Sequence, residues 1–389
     1  MRRIYIDHSA TTPVDRRVAD EMYRFLTGDN FGNPSSQHSF GWSVNEAVKE
    51  AREKVARAIG ADQREIVFTS GGTESDNMAI HGAAYTNQKK GNHIITCAAE
   101  HHAVLNTVKA LGKQGFETTI LPVDAYGMVR AEDVEKAITD RTILITIMHA
   151  NNEVGTIMPI AEIGRLAASR KIIFHVDAVQ SFGKIPVDVD ELGVNLLSIS
   201  GHKVYGPKGV GALYIRKGTR WKQTLFHGGA QERLRRAGTE NIPGIVGLGK
   251  AAELAIENME EESSRLTRLR DKIIEAITGR IAHVQLTGHP VLRLPNHASF
   301  CFEYIEGESM LLHLDMEGIA ASSGSACTSG SLEPSHVLLA MGIPHELAHG
   351  NLRVTLGKAN TEEDVDYFLD TLIPIVEKLR DISPYGETE

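Results

Sequence analysis

Short apolar runs alternate with helically spaced stretches through the first half of the chain. Residues 65–69, 92–97, 118–121, 142–148, 172–176, 195–199 and 210–215 are apolar and bounded by turn residues, so they read as strands. Between them, 43–59, 70–86 and 103–112 carry a helical pattern. Strands without polar alternation, separated by helices, predict a largely parallel sheet covered on both faces. From 244 to 278 the pattern is helical and increasingly charged, with Glu260-Glu261-Glu262 followed by Arg265, Arg268 and Arg270. That stretch predicts one connecting helix leading to a second domain. Beyond it lie a strand at 297–303, a helix near 309–316 and a loop of small residues at 322–331. Thr361-Glu362-Glu363-Asp364 then opens the last helix with the pattern of a capping box.

Composition narrows the setting. At 389 residues the chain is too long for one simple core, so two domains are expected. Forty-one basic against 50 acidic residues give −9, with no long basic run, which argues against nucleic acid as a partner. No apolar run approaches the roughly 18–20 residues of a membrane span, and the N-terminus enters a strand pattern without an apolar leader. Three scattered cysteines make no disulfide framework, so a cytoplasmic protein with reduced thiols is expected.

The candidate chemistry sits where strands end. Lys203, in Ser200-Gly201-His202-Lys203, follows a buried strand and could form a Schiff base with a carbonyl if its amine is desolvated or near a cation. Ser70-Gly71-Gly72-Thr73 opens a helix whose bare N–H groups suit a phosphate; taken alone it is equally a helix start with a threonine cap. His101 and Asn152 follow two further strands; alone the histidine reads as loop surface, and the Asn151-Asn152 pair of amides can cap a turn or hold a ligand's oxygens. Asp177 ends a buried strand, where a carboxylate is costly unless it is paired. Together these positions lie at the carboxyl ends of parallel strands, where open α/β sheets bind ligands. A lysine, an acid, a ring to stack on and phosphate donors fit pyridoxal 5'-phosphate.

Cys97 and Cys301 fall within apolar runs and read as small core residues. Cys327 differs: Ser322–Ser331 has no side chain able to anchor it, so a mobile loop is expected there. His345-Glu346-Leu347-Ala348-His349 matches a zinc-protease pattern, but Pro344 and Gly350 leave room for a single turn only.

With these motifs in view, the chain resembles the NifS/IscS-type cysteine desulfurases of the class-V, fold-type-I aminotransferases. The likeness runs from Tyr5-Ile6-Asp7 to the last helix, and is most specific at Ser200-Gly201-His202-Lys203 and Ser323-Gly324-Ser325-Ala326-Cys327. It implies an α/β fold with a mostly parallel seven-stranded sheet in a large cofactor domain (13–258). A smaller α+β domain (1–12 and 259–389) would carry the cysteine loop at about 322–331. By that likeness Lys203 would hold the cofactor covalently, Asp177 would pair with its ring nitrogen and His101 would stack on the ring. Gln180 and Asn152 would contact the phenolic oxygen or the substrate. Gly72, Thr73, Ser200 and His202 would bind the phosphate, completed by Thr239 from the partner of a homodimer. Arg353, helped by Asn33, would grip the carboxylate of L-cysteine. Cys327 would take the sulfur as a persulfide, releasing alanine, and pass it to an iron–sulfur scaffold protein or other acceptor; a transient iron–sulfur ligand role for Cys327 is also implied. Another reaction on the same cofactor, an aminotransferase or a selenocysteine lyase, is the alternative, and the receiving pathway stays open.

Overall fold

The computed structural model describes residues 2–222, 224–324 and 333–383. Twelve strands occur among them: β1 (Ile4–Tyr5), β2 (Ile66–Thr69), β3 (His93–Cys97), β4 (Glu117–Leu121), β5 (Thr142–Thr146), β6 (Ile173–Asp177), β7 (Leu196–Ser200), β8 (Gly211–Ile215), β9 (Val284–Leu286), β10 (His297–Phe302), β11 (Ile319–Ala320) and β12 (Asn351–Thr355). Seven form the central sheet in the order β2-β8-β7-β6-β5-β3-β4. All its pairs are parallel except those of β8, which runs antiparallel to both neighbours. The reason is chain length. Only residues 201–210 join β7 to β8, fewer than the dozen or so that a parallel crossover requires. Because β8 reverses, β2 again points the same way as β7.

Side chains alternate across this sheet as the pleat demands. Val67, Ile94, Leu144, Leu196 and Leu213 belong to one core, built with Met78 and Ile80 of the helix Gly72–Asn87 and Val104 and Val108 of His102–Lys113. Their neighbours Phe68, Ile95, Ile145, Leu197 and Ala212 belong to another, with the helices Ser39–Arg57, Ile160–Ser169 and Ile242–Glu257. Burial on both faces explains the unbroken apolar runs. The helices Ser39–Arg57 and Ile242–Glu257 approach so closely that a Cβ at Gly249 would stand 2.6 Å from the Ala51 Cα.

A third core joins β10, β12 and the helices Met259–Arg280 and Glu362–Asp381, around Ile273, Phe300, Phe302, Leu314 and Phe368. In it β10 pairs antiparallel with β9 and β12. The first strand joins this distant part of the chain: β1 lies parallel to β11, and Asp7 bridges to Thr355.

The stretch expected as one helix at 244–278 is two. Ile242–Glu257 and Met259–Arg280 break at Asn258, whose backbone (φ −124°, ψ 14°) leaves the helical region. The first helix serves a core of the large sheet and the second the core of the small one, so the axis must change between them. The helices Arg16–Tyr23 and Ile160–Ser169 went unread in the sequence. The capping box at Thr361 forms as expected: its Oγ1 accepts from the Asp364 N–H (3.3 Å) and its own N–H donates to Asp364 Oδ2 (3.2 Å). Among the described residues no helix is long and apolar enough to cross a membrane.

Leu197 is fully buried on the strand that ends in Ser200, just before the turn that carries Lys203. Leu197→Ala should cost about 2–5 kcal/mol through the lost burial and the cavity left behind. A denaturant titration should show the midpoint fall accordingly.

Candidate functional site

The strands β2, β3, β5, β6 and β7 all end at one edge of the sheet, and the loops that follow converge on a cavity of 730 Å³. Its wall includes Gly72, Thr73, His101, Asn152, Asp177, Gln180, Ser200, His202, Lys203 and Arg353. Ten of the residues singled out in the sequence thus come together. Asn33 and Thr239 do not: both are exposed and lie off this cavity. Cys327, together with the rest of 325–332, lies outside the described residues.

Lys203 caps the short turn after β7, and its Nζ donates to the carbonyls of Ser9 (2.6 Å) and Ala10 (2.8 Å). The same turn is locked from behind, with the His202 carbonyl accepting from Thr12 N (2.9 Å) and Thr12 Oγ1 (3.0 Å). No pattern in the sequence marks the turn after β1 as the holder of the lysine.

Asp177 ends β6, fully enclosed, with Oδ1 accepting from the Val179 N–H at 2.9 Å. Burial raises its carboxyl above the ordinary range, against the Val179 bond and the Lys203 charge. Asp76, from the helix opened by Gly72, lines the same cavity and is also buried; burial and the nearby Asp177 push it well up. Two carboxyls this enclosed favour a cationic ring nitrogen between protein and ligand. The sequence offered no sign of Asp76, since it sits in an ordinary helical run.

His101 is the N-cap of its helix, with Nδ1 accepting from the Ala103 N–H at 3.1 Å. Burial, then the Lys203 charge, holds its imidazole down to about 4, so the ring is neutral at physiological pH and free to stack. Just before it, Glu100 is fully buried and pushed up to about 8, mainly by burial. Its Oε1 accepts from the Met148 N–H (2.7 Å) and the Cys97 thiol (3.3 Å), tying the ends of β3 and β5 together under His101. Cys97 and Cys301 are buried, as expected of core thiols, and burial raises both.

Beside the main cavity a 430 Å³ recess is lined by Thr11, Ser70–Thr73, Ser200, His202 and Lys208. Gly71 has φ +153°, which favours glycine, and a Cβ at Gly72 would stand 2.8 Å from Val179 Cγ2. The first N–H groups of the helix have no acceptor within it, and hydroxyls, an imidazole and a lysine surround them. This is a fitting seat for a phosphate. On the opposite wall, Arg353 is oriented by Asp7 Oδ1 (2.9 Å, from Nη2) and the Asn152 carbonyl (3.1 Å, from Nη1), while its Nε–H is buried without a partner. A ligand carboxylate would satisfy it. The residues therefore fit a phosphorylated, cationic aromatic aldehyde beside an amino-acid carboxylate. His345 and His349 pack edge to face on a five-residue turn, and among the described residues no cluster suited to a metal ion occurs.

A model of the aminotransferase class-V family matches residues 4–368. The chain is 59% identical over 386 residues to "Cysteine desulfurase IscS" of Dictyoglomus turgidum, covering 99% of this chain and 98% of that one. A solved structure named "NifS-like protein" superposes with a TM-score of 0.91 at 42% identity, over 97% of this chain and 100% of its own. Another, "SspA in complex with cysteine", gives 0.79 at 39% identity over 91% and 98%.

Glu153 lies in the loop after β5, one residue beyond Asn152 of the cavity wall. It is buried, accepts a short hydrogen bond from the Ser335 hydroxyl, and lies 4.0 Å from His336. Burial pushes its carboxyl up to about 7, only partly offset by Ser335 and Arg353. The folded state therefore keeps a proton that the unfolded chain has released near its ordinary value of 4.5. That contribution is complete at low pH and disappears as pH rises through about 7. Glu153→Gln removes the titration, so its melting temperature should gain on that of the wild type between pH 5 and pH 8.

Proposed function

This chain belongs to the class-V aminotransferase family and is a pyridoxal-phosphate-dependent cysteine desulfurase, and on that premise we propose how its own residues divide the work. The observation that carries the assignment is the convergence of Lys203, Asp177, His101 and Arg353 on one cavity. Lys203 would hold the cofactor, Asp177 would pair with its ring nitrogen, His101 would cover its face, and Gln180 and Asn152 would contact its phenolic oxygen or the substrate. Gly72, Thr73, Ser200 and His202 take the phosphate. When bound, the cofactor supplies an electron sink for the substrate's α-carbon.

Lys203 Nζ would take the α-proton of L-cysteine and hold it. The Ser9 and Ala10 carbonyls keep that amine within reach in its charged state. Arg353 binds the substrate carboxylate through donors that Asp7 and Asn152 already aim, with Asn33 as a helper. The Cys327 thiolate attacks the substrate sulfur: an S–S bond forms, the substrate's C–S bond breaks, alanine leaves, and Cys327 keeps a persulfide. An iron–sulfur scaffold or another thiol acceptor then takes the sulfur, and Cys327 serves there as a transient cluster ligand.

The working form is a cytoplasmic homodimer whose partner contributes Thr239 to the phosphate seat. Supporting this, Thr239 is exposed and off its own chain's cavity, and large apolar side chains stand in solvent, among them Phe31 (69%), Trp42 (61%) and Leu234 (70%). Residues 13–258 form the cofactor domain, and 1–12 with 259–389 the small one.

Alanine release from L-cysteine with a thiol reductant tests the reading. Cys327→Ala should lose at least 100-fold of the rate, an order of magnitude typical of removing a nucleophile, with cofactor absorbance intact. Lys203→Ala should lose covalent cofactor retention as well. Alanine formed at the wild-type rate by the Cys327 variant would refute the persulfide step.

A further inference from the structure

A second lysine stands behind the first and belongs to none of the roles above. Lys184 lies in the turn after Gln180, and its Nζ donates to the Gln180 backbone carbonyl (2.9 Å) and to the Gln180 side-chain Oε1 (3.2 Å). The other end of the same amide, Nε2, donates to the Ser9 carbonyl at 3.0 Å. Ser9 is also the carbonyl that receives Lys203 at 2.6 Å. A continuous chain of hydrogen bonds therefore runs from Lys184 through Gln180 to Ser9, where it meets Lys203.

We propose that Lys184 is a positioning residue for the reaction, fixing the Gln180 amide so that its nitrogen faces the cofactor cavity. The two ends of a glutamine amide are nearly the same in shape, and only their partners decide which faces where. In its ammonium form Lys184 can only donate, and it donates to the Gln180 backbone carbonyl as well, so the amide oxygen turns toward it. The Ser9 carbonyl that meets the other end is only an acceptor, so the nitrogen turns toward it. One N–H then serves Ser9, and the second is left for an oxygen acceptor in the cavity. Gln180 is itself 5% exposed, so a misaligned amide has little water to turn to.

Lys184 is held in turn by the rest of the fold. Its N–H donates to the Ser181 carbonyl (3.0 Å), and its carbonyl accepts from Ser263 Oγ (2.6 Å), on the helix Met259–Arg280 that serves the small sheet. It lines a separate 260 Å³ cavity behind Lys203, together with His8, Glu261 and Glu262. Lys184 is only partly buried, and that burial, followed by the Lys203 charge, lowers its ammonium below the ordinary range. The cost of enclosing a second cation there is offset by the bonds to Gln180.

This inference rests on the reading of Gln180 as a cofactor contact, and a double-mutant cycle separates the two. Apoenzymes of Lys184→Met, Gln180→Ala and the double variant are titrated with pyridoxal phosphate, following intrinsic fluorescence and the absorbance maximum of the bound cofactor. Each single change should weaken affinity about tenfold, the scale of one hydrogen bond to a charged group, and shift the band. The double variant should be no weaker than Gln180→Ala alone, because Lys184 acts through Gln180. Lys184→Arg, which keeps a cationic donor, should restore the affinity lost in the Met variant. If Lys184→Met does not fold, Lys184→Leu, which likewise has no donor, carries the same cycle. Wild-type affinity and band in the Lys184 variant, beside a weakened Gln180→Ala, would overturn the inference alone, as would losses that multiply. A Gln180→Ala apoenzyme that binds like wild type would overturn the reading of Gln180 and the inference with it.

Discussion

Two carbonyl oxygens, those of Ser9 and Ala10, set the position of the reactive amine. They belong to a turn stretched between distant parts of the chain. On one side His8 N–H reaches the Thr355 carbonyl (3.1 Å) and Ser9 N–H reaches Thr355 Oγ1 (2.9 Å), both on β12. On the other, Thr12 bonds the His202 carbonyl and accepts from the Tyr205 N–H at 2.7 Å. Any shift of the small sheet against the large one would therefore be felt at Lys203. The N-terminal strand, only two residues long, earns its place by holding this turn through β11.

Around that point the site is built from groups whose charge is suppressed. Burial lowers His8, His101 and His202 to about 4, and raises Glu100 to about 8. The imidazoles stay neutral, and the enclosed carboxyls are costly to ionise without a cation. A ligand bringing a positive ring nitrogen to Asp177 and a phosphate to the Gly72 helix supplies both missing signs of charge. The interior is thus arranged for an occupant, and its polar groups are aligned by one another: Asp7 aims Arg353, Glu100 braces His101, and Lys184 turns Gln180.

Much of this was legible in the residues. The seven strands of the main sheet fall within one or two residues of the expected ends; six are buried on both faces, which leaves a largely apolar signature, while β4 is a half-exposed edge strand. The site residues stood out for a related reason: polar side chains directly after such runs have few structural uses. The break at Asn258 was not legible, since no proline or glycine marks it and both flanks are good helix formers. Asp76, Glu100, Glu153 and Lys184 were equally silent, each being a common charged residue that no motif in its own stretch sets apart.

The sequence by itself determined the order of strands and helices, the common edge at which the chemistry gathers, and the residue types that chemistry needs. These follow from local periodicity and from the limits on connection length, both carried by contiguous residues. Only the tertiary structure decided which carbonyls hold Lys203, which carboxyls are buried beneath the cavity, and which way the Gln180 amide faces. Those depend on partners such as Ser9 and Lys203, 194 positions apart in the chain, and no local pattern encodes a contact over that distance.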